Sequence, residues 1–277
     1  MKVYFSSDIH FDHHIKNQEL WYLLYEECKR DTPDVLIICG DLAESLKDFH
    51  LALSLFKDLN CPKLILPGNH DLWNRIDKTT NAWDKYKVHL PKISTQNNWH
   101  YLPTQPFILD NWIFVGSPLW YDYSLMPKNH PFTTNDFQKK QYKNKIWQDS
   151  KYIDFPNLKN DFEISKYFYQ ELESHLQLAQ NKKIFCCSHF PSHHEIFNFT
   201  KKNWDKEYFG AFMGSNLYQK LLEKHKVSYF ISGHVHRQFD QVINDIRVIL
   251  NPVGYTAEWV TKKPEEQIKY AIKKVII

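Results

Sequence analysis

Apolar residues in this chain come in short unbroken runs, and five of these runs stop at residues able to bind metal. Residues 2–7 lead into Asp8-Ile9-His10, 35–39 into Gly40-Asp41, and 63–67 into Gly68-Asn69-His70-Asp71. Residues 183–187 lead into Ser188-His189, and 227–231 into Ser232-Gly233-His234-Val235-His236. Continuous Val, Ile, Leu and Phe suit strands buried on both faces. Residues 112–115 and 246–250 read as two further strands, and 16–30, 46–59, 165–180 and 215–226 as helices. This alternation predicts an α/β fold, in which ligands gather beyond the carboxyl ends of the strands.

The stretch 120–162 breaks the pattern. It is rich in Asn, Lys, Tyr, Trp and Pro, and its periodicity is weak. Candidate site residues lie on both sides of it, so it reads as an insertion or cap within a single domain spanning 1–277. A structureless loop of that length is uncommon, which predicts some helix within 137–147.

Composition narrows the class without choosing a function. The chain has 277 residues, with 19 Phe, 16 Tyr and 9 Trp, enough apolar area to exclude a disordered chain. No apolar run approaches the ~20 residues that span a bilayer. The five cysteines form no ligand spacing, and Cys39, Cys61, Cys186 and Cys187 sit in or beside apolar runs. They read as thiols of a reducing, cytoplasmic compartment. A net charge of +3 is too mild to argue for nucleic acid, although lysines gather between Lys139 and Lys145.

The chemistry lies in the strand ends. Alone, an Asp after a strand is ordinarily a turn or cap residue, and a lone His an ordinary polar side chain. Here two i, i+2 pairs, Asp8/His10 and His234/His236, flank the single donors Asp41, Asn69 and His189. Seven N and O donors are too many for one ion with open positions. They fit two divalent ions bridged by a shared carboxylate. Imidazole, carboxylate and amide without thiolate point to manganese first, with iron or zinc as alternatives.

In order, Asp8-Ile9-His10, Gly40-Asp41-Leu42, Gly68-Asn69-His70-Asp71, Ser188-His189 and Gly233-His234-Val235-His236 resemble the motifs of the calcineurin-like metallophosphoesterase superfamily. Leu119-Trp120 and Asn251-Pro252-Val253-Gly254-Tyr255 resemble a bacterial and phage branch of it. The resemblance implies two packed β-sheets flanked by helices, a four-layer αββα sandwich. It implies one ion on Asp8, His10, Asp41 and His236, and a second on Asp41, Asn69, His189 and His234. It also implies that His70 serves the leaving oxygen as acid or phosphate contact, while a hydroxide bridging the ions attacks a phosphate ester or diester. The sequence departs from the phosphoprotein phosphatase branch at Leu42-Ala43-Glu44-Ser45: Glu44 could orient His70, but the phosphate-binding Arg is missing.

The expected substrate is a phosphorylated small molecule or nucleotide, with a nuclease as the main rival and no membrane partner. A non-catalytic scaffold is the competing class, but such relatives typically lose ligands that this chain keeps. Trp120, Tyr121, Tyr123, Trp147 and Tyr255 are candidates to stack on a substrate. His13, His14, His193 and His194 are secondary candidates for phosphate contact. The Lys139–Lys145 cluster is a candidate basic rim.

Overall fold

The computed structural model describes residues 1–197 and 204–277. In chain order its strands are β1 (Lys2–Ser6), β2 (Val35–Cys39), β3 (Lys63–Leu66), β4 (His100–Tyr101), β5 (Phe107–Leu109), β6 (Trp112–Gly116), β7 (Gln141–Tyr142), β8 (Lys145–Ile146), β9 (Lys183–Cys187), β10 (Tyr229–Ser232), β11 (Phe239–Ile243), β12 (Ile246–Leu250) and β13 (Lys273–Ile276). One sheet has the order β13-β1-β2-β3-β4, and a second the order β11-β12-β10-β9-β6-β5. The inner strands of each sheet run parallel, and the antiparallel pairings involve the edge strands β13, β11 and β5.

Side-chain alternation explains the layering. Val3, Phe5, Val35, Ile37, Leu64 and Leu66 of the first sheet form one buried cluster with Trp112, Phe114, Phe185, Cys187, Ile231 and Ile249 of the second. The intervening residues, among them Tyr4, Leu36, Ile38, Ile65, Ile113, Cys186 and Phe230, belong to a separate cluster with helical residues such as Trp21, Phe49, Phe168 and Leu221. Each inner strand is therefore buried on both faces, and the arrangement is the four-layer αββα sandwich. A parallel bridge between Ser7 and Pro252 ties the carboxyl end of β1 to that of β12, so the carboxyl ends of the two sheets meet.

The four expected helices appear as Ile15–Arg30, Leu46–Leu55, Asp161–Gln177 and Leu217–Lys224. Ser45, at the position where the phosphoprotein phosphatases carry Arg, is a helix cap here: its hydroxyl accepts from Asp48 N at 3.0 Å. The second helix stops at Leu55, short of the expected residue 59, in a turn where Leu59 N donates to Phe56 O.

The helix expected within 137–147 is confined to its first two positions: a short helix, Thr134–Gln138, ends just inside that window and a hairpin of β7 and β8 follows. Lys140 and Lys143 adopt left-handed φ of 50° and 52°, which breaks the helix and turns the hairpin. No helix among the described residues is long and apolar enough to cross a membrane. All five cysteines are free thiols; Cys61 is half-buried and the others are buried.

Candidate metal centre

The strands deliver the donors because the backbone turns left-handed where they end. Asp8, His10, Asp41 and His234 have φ of 54°, 47°, 53° and 66°, costing ~1–2 kcal/mol for each non-glycine residue. The turns are held by pairing of neighbouring loops: Asp8 N donates to Gly40 O at 3.0 Å, and His10 N to Asp41 O at 2.9 Å. Gly68 is required for space, since an added Cβ would run into Asp41 Oδ1 and lie 2.7 Å from His189 Cε1.

All seven predicted donors and His70 converge. His10 Nε2 faces His236 Nε2 at 3.3 Å, and His236 Nε2 lies 3.4 Å from Asp8 Oδ1. His189 Nε2 lies 3.1 Å from Asn69 Oδ1 and 3.5 Å from Asp41 Oδ1, while His10 Nε2 is 3.9 Å from Asp41 Oδ2. Ligand atoms of Asp8, His10 and His236, of His10, Asp41 and His70, and of Asp8, Asp41 and His189 fall into three groups, each within 4.8 Å. Asp41 belongs to two groups, as a bridging carboxylate should, but so does Asp8. His234 completes the ring of donors with its centroid 5.1 Å from that of His189. Its Nε2 faces Phe212 O at 3.2 Å, which leaves Nδ1 as its remaining donor atom.

The electrostatics suit cations. Burial works to raise the Asp41 carboxyl, yet His189 and His70 hold it well below its ordinary value. Burial opposes protonation of His189 and His236, but Asp41 and then Asp8 raise His189 to about 9, and Asp8 with Glu258 raises His236 to about 10. Burial and the neighbouring His189 push His234 down to about 3, leaving it neutral and able to donate its lone pair. The carboxylates thus draw positive charge into a buried pocket, and the donor set fits divalent ions.

Second-row contacts fix the donors. His189 Nδ1 faces Cys39 O at 2.9 Å, and His236 Nδ1 faces Glu258 Oε2 at 2.7 Å. Asn69 Nδ2 donates to Asp149 Oδ1 at 2.9 Å. Asp71 accepts from four backbone amides, those of Asp41 (2.7 Å), Gly68 (2.8 Å), Leu42 and Ala43 (both 2.9 Å), tying together the loops after β2 and β3. Burial, reinforced by the Asp41 charge, pushes the Asp71 carboxyl up to about 7. Sequence reasoning missed Glu258 and Asp149, whose partners lie 22 and 80 residues away. It also missed the work of Asp71, although that residue stands inside the third motif.

Glu44 does not orient His70. Its carboxylate forms a two-point pair with Arg75, at 2.6 Å to Nε and 2.5 Å to an NH2 group. His70 instead stacks on Trp73 at 3.7 Å and 28°, and its amide donates to Asp41 Oδ1 at 2.9 Å. A cavity of about 300 Å³ opens over the donors, walled by Trp73, Ile146, Trp147 and Tyr255, with Asp41, His70 and His236 in its lining.

The other candidates divide. Trp147 and Tyr255 line the cavity, whereas Trp120, Tyr121 and Tyr123 are buried in the core cluster. His13 packs against Tyr255 with ring centroids 4.6 Å apart and the rings tilted by 38°, and His14 caps the helix after it, accepting from Lys16 N. His193 is buried against Ser192, and His194 is exposed; neither lines the cavity. The lysine cluster does not line it either. Lys140 is spent on Asp161 at 2.7 Å and lies over the Tyr121 ring, while Lys139 pairs with Asp136.

Residues 1–238 match the family of calcineurin-like phosphoesterases. The chain belongs to that family. As a calcineurin-like phosphoesterase it is a metal-dependent hydrolase of phosphate esters. It is similar to uncharacterized protein L509 of Acanthamoeba polyphaga mimivirus, 26% identical over 251 residues, covering 83% of this chain and 82% of that protein. Among solved structures it is similar to phosphopantetheinyl hydrolase from Mycobacterium tuberculosis, with a TM-score of 0.82 at 20% identity over 99% of this chain and 95% of that one. It is also similar to a dimetal phosphatase from Danio rerio, with a TM-score of 0.55 at 14% identity over 90% and 86% of the two chains. These two likenesses show the calcineurin-like fold.

Proposed function

We propose that this calcineurin-like phosphoesterase is a dinuclear enzyme hydrolysing a small phosphate ester or diester. The observation that carries the reading is the clustering of seven donors and His70, with Asp41, Asn69, His70, His234 and His236 open to one cavity of about 300 Å³. Asp8, His10, Asp41 and His236 would hold one ion, and Asp41, Asn69, His189 and His234 the other, with manganese the leading choice. Together the ions supply an activated water near neutral pH and charge to neutralise phosphoryl oxygens.

The protein's own groups do the rest. His70, flat against Trp73, makes no ring hydrogen bond to any other described residue, so its nitrogens are available to a phosphate oxygen or the departing oxygen. An imidazole there can hand its proton to the leaving oxygen as the P–O bond breaks. Trp73, Ile146, Trp147 and Tyr255 present apolar and aromatic wall to the organic part of the substrate. Among the described residues no lysine or arginine lines the cavity, which supports a compact substrate carrying little charge beyond the phosphate being cut. A nuclease would need a cationic groove along the strand. The free thiols fit a cytoplasmic setting.

The test is a panel assayed with added manganese: p-nitrophenyl mono- and diesters, cyclic nucleotides, single-stranded DNA, and a phosphodiester bearing a pantetheinyl arm. The last is included because the Mycobacterium tuberculosis protein is a phosphopantetheinyl hydrolase. Turnover of small diesters above DNA is expected. Preference for DNA with steep salt dependence would replace this reading with the nuclease.

A further inference from the structure

Asp149 lies in the stretch 120–162, which no ligand motif touches. It is 1% exposed, yet four side chains point at its carboxylate, and none of the four is a cation. Asn69 Nδ2 at 2.9 Å and Trp73 Nε1 at 2.7 Å donate to Oδ1. Trp147 Nε1 at 2.9 Å and Tyr121 OH at 3.2 Å donate to Oδ2. Burying a carboxylate without a counter-ion is costly and persists where every lone pair is used.

The donors are not a random sample of neighbours. Asn69 is a candidate ligand. An amide has a donor end and an acceptor end, and binding its Nδ2 to Asp149 turns Oδ1 toward His189 Nε2, 3.1 Å away. Trp73 is the ring on which His70 stacks. Trp147 also lines the cavity and meets the His234 ring edge-on at 5.8 Å. One buried carboxylate therefore reaches a metal donor, the platform of the leaving-group imidazole, and the substrate wall.

We infer that Asp149 is a positioning residue: it fixes the Asn69 amide for the metal and locks Trp73 and Trp147 about the cavity, so that the inserted stretch completes the centre. The inference rests on the two-metal reading above. Carboxylates that orient metal ligands typically contribute 10–100-fold to affinity or activity.

The experiment titrates purified apo-protein with manganese by calorimetry and follows thermal melting of the apo form and hydrolysis of a p-nitrophenyl diester. Asp149→Asn would place an amide NH2 against at least one N–H or O–H donor. It is expected to weaken the weaker manganese site by about 10-fold or more and to lower kcat/KM. In an Asn69→Ala background the same change should have no further effect on manganese affinity, because its route to the metal is gone. A purely structural role would lower the melting temperature and act equally in both backgrounds, and that result overturns the inference.

Trp73→Phe keeps a ring under His70 and deletes the bond to Asp149. It should lower kcat with both ions retained, and it serves if Asp149→Asn fails to fold. Unchanged kcat in Trp73→Phe would then overturn the inference. Wild-type protein that takes up no divalent ion overturns the two-metal reading and this inference together. Wild type that binds two ions, with Asp149→Asn binding them equally well, overturns this inference alone.

Discussion

Asp71→Ala isolates the cost of assembling the centre from the cost of binding metal. In the native protein the Asp71 carboxylate, 1% exposed, accepts from the amides of Asp41, Leu42, Ala43 and Gly68. Alanine would leave all four N–H groups buried and unpaired. At ~1 kcal/mol each, the low end for an unsatisfied buried donor, the loss is about 4 kcal/mol, a large part of the ~5–15 kcal/mol that holds a domain together. Because burial and the neighbouring Asp41 push this carboxyl up to about 7, the cost near neutral pH lies in stranded donors more than in lost charge.

Asparagine offers a graded comparison. Oδ1 serves Leu42 and Ala43, and Oδ2 serves Asp41 and Gly68. The amide of Asp71→Asn keeps one oxygen and so can satisfy only one of these pairs, which places its loss at about half that of alanine, ~2 kcal/mol. Urea unfolding of the three proteins in excess chelator measures the difference without contribution from ions. Added manganese at 100 times its dissociation constant should then stabilise the wild type by ~2.7 kcal/mol and Asp71→Ala by less, since the loops bearing Asp41 and Asn69 have lost their tie. Equal stabilities for Ala and Asn, or losses below ~1 kcal/mol in both, would refute the reasoning from stranded donors.

Three further outcomes are expected. Asp41→Asn should bring metal content close to zero by elemental analysis, because Asp41 stands in two of the three donor groupings; two ions still bound would remove it as the bridge. His70→Ala should keep both ions while kcat falls 10²–10⁴-fold, with the larger loss on an alkyl ester than on a p-nitrophenyl ester, whose phenolate departs without a proton. Replacing Lys139, Lys143 and Lys145 by Gln should leave KM within about twofold, because none of them lines the cavity; a tenfold rise, 1.4 kcal/mol of lost contact, would return them to the substrate path.

The inner strands were legible because parallel strands buried on both faces write themselves as unbroken apolar runs. The edge strands were not. β11, Phe-Asp-Gln-Val-Ile, is buried only at Phe239, and β13, Lys-Lys-Val-Ile, only at Val275, so neither shows the run that marked β2 or β9. The helix Pro264–Ala271 carried a usable start signal, proline at the first helical position followed by two glutamates, that the reading passed over. The hairpin at 141–146 was not legible, because loop-length expectations say that structure is needed but not which kind.

At the site the same division has a chemical cause. The donors are set by where a strand stops and the backbone turns left-handed, as at Asp8, Asp41 and His234, and that is local enough to leave a motif. What orients the donors is set by whichever segment folds over them. Glu44 shows how weak position alone is: it stands where an orienting acid is expected, yet its carboxylate is taken up by Arg75, and Trp73 supports His70 instead. Glu258 reaches His236 from beyond the last motif, and Asp149 reaches Asn69 from the inserted stretch. Such partners come from segments outside the motifs, so the motifs carry the candidate ligands while the segments between and beyond them orient those ligands and shape the cavity. For this chain, selectivity is therefore expected in the wall contributed by Ile146 and Trp147, and substitutions there should change which ester is cut before they change whether metal is held, whereas Asp149 acts on the metal through Asn69.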